Sequence, residues 1–348
     1  MLQELQGYEG YDAVRKTSAV RDRSDEGRLR VTGPDRAAWL QGLLTNDIAA
    51  VKPGGGCYAA YLTPQGRMIS DVRVLERGDF MLLDVPAAQK AYVLERLTTF
   101  IIMEDVAVDD VTASLARVAV HGPGAAALLE GVVKVDDGTS IASLEEHAST
   151  VARIGDHPVV IAGSRELGAD HAGFDVYCPA PVKNELLRAL IAAGAEPIAD
   201  HAWHALRVEA GRPLFGVDMT TETIPLEAGI EDRAISFTKG CYVGQEIIIR
   251  VMHRGGGRVA RKLVGLLPVA PASPENTIAA DTPLFAGEKS IGRITSAAWS
   301  PRAGQWIAMG YVQRESAEPG THVTIGQPAS AGGAEAVVAA LPLLSLTA

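Results

Sequence analysis

The chain has 348 residues, 47% apolar and 21% charged, with a net charge of −10. That length suits two or three domains, and the acidic balance excludes general nucleic-acid binding, which calls for a basic surface to neutralise phosphates. No apolar run approaches the ~18–20 residues of a membrane span, and the start, Met1–Gln6, lacks the features of a secretion signal. Cys57, Cys178 and Cys241 lie far apart with no Cys-x-x-Cys pair, so neither a disulfide framework nor zinc-finger spacing is present, and a reducing cytoplasm is the expected home.

The first two-thirds alternate β-rich runs with helical patterns. Leu29–Gly33 reads as a strand, and Pro34 opens a helix with Trp39, Leu40, Leu43 and Leu44 on one side. Strands are predicted at Cys57–Leu62, Met68–Leu75 and Phe80–Val85, then a helix from about Ala87 to Phe100. The order then recurs: Val120–Gly131 echoes Val31–Gly42 at a shift of 89, and Pro179 precedes Leu187 and Leu190 as Pro86 precedes Leu94 and Leu97. Two tandem βαββαβ-like units, each a sheet with helices on one face, explain both echoes.

A block of different character follows. Asp200 can cap a helix carrying Trp203, Leu206 and Glu209, with Gly211 at its end. Gly255-Gly256-Gly257 reads as a hinge, because a phosphate-binding loop needs a following Lys-Ser/Thr that Arg258-Val259 does not supply. Beyond it, short strands at Lys262–Leu267, Ile291–Ala298 and Ile307–Val312 predict a small barrel or sandwich. The expected class is α+β. Its boundaries are a first α/β unit at 20–115, a second at 116–200, a connecting block at 201–256 and a C-terminal β-barrel at 257–348.

Several residues stand out chemically. Six basic side chains fall within 239–262 (Lys239, Arg250, Arg254, Arg258, Arg261 and Lys262), which fits either an anionic ligand or a solvated basic face. Cys241, two residues from Lys239, is either a thiol activated by a nearby cation or a buried inert one. Asp71 and Glu209 are single carboxylates in apolar patterns; each needs fixed donors, from a ligand ring edge or from the chain's own arginines. The histidines show no metal-ligand spacing beyond His201-x-x-His204, which has no third ligand nearby, so no metal site is read.

Arg207–Asp218 followed by Ile224–Gly229 resembles the glycine-cleavage T-protein superfamily. The octapeptide Lys239-Gly-Cys-Tyr-Val-Gly-Gln-Glu246 with Arg250 resembles its YgfZ branch, folate-dependent proteins of iron–sulfur enzyme maintenance. Leu40–Gly42, Thr45–Asp47, Tyr58, Gly66 and Asp71 fit the superfamily's first unit, and Gly292–Ser296 with Met309–Val312 fit its barrel. The resemblance covers roughly residues 25–315. It implies a folate-binding region of the T-protein type with tetrahydrofolate or a derivative as cofactor. Glu209 would hold the pterin edge, Trp203 would stack on the ligand, Tyr58 would face it, and Lys239 and Arg250 would take the glutamate-tail carboxylates. Cys241 and Asp71 are the candidates for chemistry.

The sequence also departs from the T-protein pattern. Only Asp71 remains where an acidic pair is usual, Gly168 replaces a ligand tyrosine in the stretch Arg165–His171, and Glu26 or Gly27 stands where the YgfZ branch has another tryptophan. The expectation is therefore a cytoplasmic tetrahydrofolate-binding protein supporting iron–sulfur client enzymes, without nucleic-acid or membrane partners. The rival readings are an aminomethyltransferase or folate-dependent demethylase, and a pure interaction module.

Overall fold

The computed structural model describes residues 6–168, 172–254, 256–270, 274–275 and 277–344. Ala169, Asp170 and His171 of the Arg165–His171 stretch, and Gly255 of the triple glycine, lie outside the described residues. The α+β class is borne out: two mainly antiparallel sheets carry helices on their outer faces, and a closed barrel follows.

The first sheet orders its strands Gly56–Leu62, Met68–Glu76, Phe80–Val85, Gly27–Thr32 and Ala107–Asp110. Alternation along each strand decides what faces outward. Val31, Ile69, Val72 and Leu83 pack under Leu40 and Leu43 of helix Arg36–Leu43 and under Val93 and Leu97 of helix Lys90–Thr99. The helix expected from Ala87 begins as a 3-10 turn at Ala87–Gln89. The second sheet repeats the plan, with Leu129, Leu186 and Leu190 covering Val118, Ile161 and Phe174.

The two units are joined by an exchange. Strand Ala19–Asp22, which leads into the first unit, pairs with Leu115–His121 of the second sheet (Val20 opposite Val120). Strand Ala107–Asp110, which leads into the second unit, pairs with Gly27–Thr32 of the first sheet (Val31 opposite Val108). Each sheet is thus completed by the strand that precedes the other. The anchors match as well: Lys183 Nζ bonds Asp22 at 2.8 Å, and Lys90 Nζ bonds Asp110 at 2.6 Å. At the repeated turns, Gly33 and Gly122 have φ of +101° and +125°, and a Cβ would sit 2.0 Å from Asp105 O and 2.4 Å from Thr17 O. Only glycine fits there.

The inner faces of the two sheets meet over a small apolar patch of Leu75, Leu82, Ala162 and Tyr177. The rest of that interface is charged. Beyond it, strands Arg261–Pro268, Pro283–Ala286, Lys289–Ser300, Gln305–Gln313, His322–Ile325 and Ala334–Ala339 close a six-stranded barrel. Helix Asp200–Glu209 packs between that barrel and the N-terminal helix Tyr11–Lys16, burying Ala202, Leu206 and Val208. Among the described residues no helix is long and apolar enough to cross a membrane.

Candidate functional site between the two sheets

Strand alternation that sends Val72 and Val74 outward to the helices sends Asp71 and Arg73 inward, toward the second sheet. Arg73 stands opposite Tyr58 on one neighbour and Asp84 on the other. From the second sheet, Arg117, Asp175 and Tyr177 project inward, while Val118, Phe174 and Val176 cover the other face. These side chains floor or line a cleft of about 340 Å³, walled on its apolar side by Pro213, Leu214, Phe215 and Pro86.

The floor is an ion-pair network. Asp175, fully buried, receives Arg117 Nε at 2.8 Å and NH2 at 3.0 Å, and is also bonded by Arg73. Burial pushes its carboxyl up, but the two guanidiniums outweigh that and hold it well below the usual range. Arg117 also bonds Glu26 and Glu166, and Arg23 pairs with the same two acids. Arg73 Nε donates to His147 Nδ1 at 3.2 Å, and burial with the nearby arginines keeps that imidazole neutral.

Asp71 differs from these acids. Tyr58 Oη donates to its Oδ2 at 2.8 Å, and no cation pairs with it among the described residues. Burial pushes its carboxyl up to about 6, Glu26 and Glu166 add to the shift, and the Tyr58 bond opposes it. The result is a carboxyl that titrates close to neutral pH inside the cleft, a property suited to proton transfer. Arg233 lies 5.0 Å over the Tyr58 ring and pairs with Glu146 at 3.0 Å, which fixes the tyrosine from behind. Asp84 contributes a second acceptor. Its Oδ2 is bonded by Tyr177 Oη, while its Oδ1 is buried without a partner.

Of the residues singled out in the sequence, Tyr58 and Asp71 come together here, and the others lie elsewhere. Glu209, expected at the pterin edge, is buried away from the cleft. Tyr11 Oη and Ser300 Oγ each donate to it at 2.5 Å, and Arg15 pairs with it, so its donors come from the chain. Trp203, expected to stack on the ligand, lies beneath Arg23, whose guanidinium sits 4.6 Å over its ring, with Arg21 and His121 on its other contacts. It supports a cleft residue rather than lining the cleft. Lys239, expected on a carboxylate tail, spends all three ammonium protons on the carbonyls of Gln41, Leu44 and Asn46, each at 2.7 Å. Arg250 begins the segment Arg250–Arg254 and is exposed outside the cleft. Cys241 is exposed, also outside it. Among the described residues no group of three or more His, Cys, Asp or Glu side chains is placed to hold a metal.

The sequence reading missed Arg73, Asp84, Arg117 and Asp175. Asp84, Arg117 and Asp175 are each a lone acid or arginine in an apolar strand, the same signal that marked Asp71, so the pattern was present in Phe80–Val85, Leu115–His121 and Gly173–Pro179.

Comparison with known proteins places this architecture. The GCVT N-terminal domain matches residues 8–239, and the glycine cleavage T-protein C-terminal barrel domain matches 261–344. The chain belongs to the glycine cleavage T-protein family. An aminomethyltransferase of Listeria monocytogenes is 30% identical over 318 residues, covering 91% of this chain and 84% of the relative. One from Streptomyces coelicolor is 32% identical, covering 90% and 83%. A putative chloroplastic transferase of Arabidopsis thaliana is 30% identical, covering 92% and 71%. Within the family's fold, the aminomethyltransferase T of the Bartonella henselae glycine cleavage system superposes with a TM-score of 0.83 at 23% identity, covering 96% of this chain and 88% of that one.

Proposed function

We propose that the chain binds a tetrahydrofolate derivative between its two sheets and transfers a one-carbon unit to or from it, as an aminomethyltransferase or folate-dependent demethylase would. The observation that carries this is Asp71, a cleft carboxyl held by Tyr58 and pushed up to about 6. Family membership and the aminomethyltransferase relatives support the same reaction class.

The residues present fit such a ligand. Asp84, whose buried Oδ1 has no partner among the described residues, can accept an N–H group such as a 2-amino-pyrimidine edge presents, and Pro213, Leu214 and Phe215 offer an apolar wall. Bound tetrahydrofolate supplies a nitrogen able to carry a one-carbon group. Asp71 holds or releases the proton at Oδ1, Tyr58 keeps its other oxygen engaged, and the Asp175 network keeps the floor rigid around them.

Calorimetric titration with tetrahydrofolate, followed by turnover assays on an N-methyl amine or an aminomethyl carrier, tests this. Asp71→Asn is expected to bind tetrahydrofolate but lose about 100-fold in kcat. No binding by the unaltered protein removes the folate reading, and unchanged kcat in the variant removes the role of Asp71.

A second reading rests on a separate observation, the exposed thiol of Cys241 within an octapeptide that resembles the YgfZ branch. Here the protein binds tetrahydrofolate in support of iron–sulfur client enzymes, and the thiol acts at the surface. Cys241→Ala is expected to lower iron–sulfur enzyme activities in cells while leaving folate affinity intact; normal client activities count against this role.

A further inference from the structure

Five arginines line the cleft: Arg23, Arg73, Arg117, Arg212 and Arg233. Four of them hold carboxylates: Arg23 and Arg117 pair with Glu26 and Glu166, Arg73 with Asp175, and Arg233 with Glu146. The Arg212 side chain, by contrast, makes no hydrogen bond or ion pair with the described residues, and its Nε is buried without a partner. The acids closest to it in charge, Glu146 and Glu166, are already held by other arginines. Arg212 is half-buried at the cleft, and a partly desolvated guanidinium with no direct counter-charge is suited to pairing with an anionic ligand.

Its position is equally informative. Arg212 lines the cleft and also a second cavity, a groove of about 560 Å³ between the connecting block and the barrel. Small residues, among them Gly211, Ala228, Gly229 and Ala340, leave that groove open, and Lys262, exposed in it, makes no ion pair with a described residue, feeling Glu231 only through space. Among the described residues the groove's one acid is Glu231, whose carboxyl burial pushes up.

We propose that Arg212 anchors a carboxylate of the bound ligand, and that Lys262 extends the same cationic track into the barrel groove. The ligand is then an elongated molecule, with an N–H-rich head at Asp71 and Asp84 and an acidic tail that passes Arg212. Glutamyl carboxylates of a folate fit this class, and a chain of more than one glutamate reaches Lys262. The identity of the ligand rests on the folate reading; the anion site rests on Arg212 itself.

Calorimetry with three ligands separates the claims: tetrahydrofolate, its triglutamate form, and a tetrahydropterin lacking the benzoylglutamate. Arg212→Gln is expected to raise the Kd of tetrahydrofolate about tenfold or more while leaving the tetrahydropterin unchanged. Arg212→Lys restores part of the loss, which shows that the effect is charge rather than misfolding. Lys262→Ala weakens the triglutamate form alone. Equal losses for both head-only and tailed ligands, or no loss for either, overturn the proposal. If the unaltered protein binds no folate, the folate reading fails, and millimolar glutarate becomes the probe. A rise in Tm in the unaltered protein that Arg212→Gln abolishes upholds the anion site, and no rise overturns it.

Discussion

The molecule buries charge in two places, and they are built differently. At the joint between the N-terminal helix, helix Asp200–Glu209 and the barrel, both buried acids are matched from within. Glu209 takes Tyr11, Arg15 and Ser300; Arg207 NH1 meets Asp218 at 2.7 Å, and Thr295 and Ser296 each donate to Asp218 at 2.6 Å. In the cleft between the sheets the floor is matched in the same way, but the rim is not. Among the described residues Asp84 Oδ1 and the Arg212 side chain lack partners there, and Asp71 has a tyrosine instead of a cation. A saturated cluster holds elements together, whereas an unsaturated one in a cavity is arranged for a ligand.

The largest test of that contrast is Glu209→Ala. It strands Arg15 and two hydroxyls in a buried joint, and is expected to cost on the order of 3–5 kcal/mol, read as a lower urea midpoint. A loss of less than about 1 kcal/mol together with abolished folate binding would break the comparison, because Glu209 would then belong with the rim.

Lys239→Met ranks next. Removing an ammonium that ties three carbonyls in and just after the last turn of helix Arg36–Leu43 is expected to cost roughly 1–3 kcal/mol, with folate affinity changed by less than about twofold. An affinity loss at constant stability would return Lys239 to the ligand.

Much of this architecture was legible from local patterns. The helix over Trp39–Leu43 and the barrel strands follow from spacing within a few residues, and the repeat follows from the same short pattern met again at a shift of 89. The strand exchange was not, because Ala19–Asp22 is four residues long and its partner lies about a hundred positions away. The site divides along the same line. That Asp71 and Glu209 are buried carboxylates can be read from the apolar residues around them. Which donor each meets depends on Tyr11, Arg15 and Ser300, brought to Glu209 from two distant segments. The octapeptide illustrates the same limit. Its Gly244 has φ of +86° with Thr63 O 2.6 Å from a would-be Cβ, and Val243 N bonds Gly42 O, so much of the motif is spent on packing against the first unit.

The smallest expected effect, and the sharpest, is the pH dependence tied to Asp71. Its folded carboxyl is raised to about 6 from the ordinary 3.8, so between those values the native state holds a proton that the unfolded chain has released. The sign follows: the stability contributed by the protonated form is fully present below about 3.8 and is lost as pH rises through about 6. Asp71→Asn removes that slope, because an amide keeps a neutral group at every pH and Tyr58 can still donate to its oxygen. Urea midpoints of the two proteins are therefore expected to coincide at low pH, with the variant the more stable above pH 6. The same substitution abolishes proton transfer, so a gain in stability should accompany the loss of turnover. That pairing marks a rim residue. Parallel losses of stability and activity would instead assign Asp71 to the saturated floor beside Asp175.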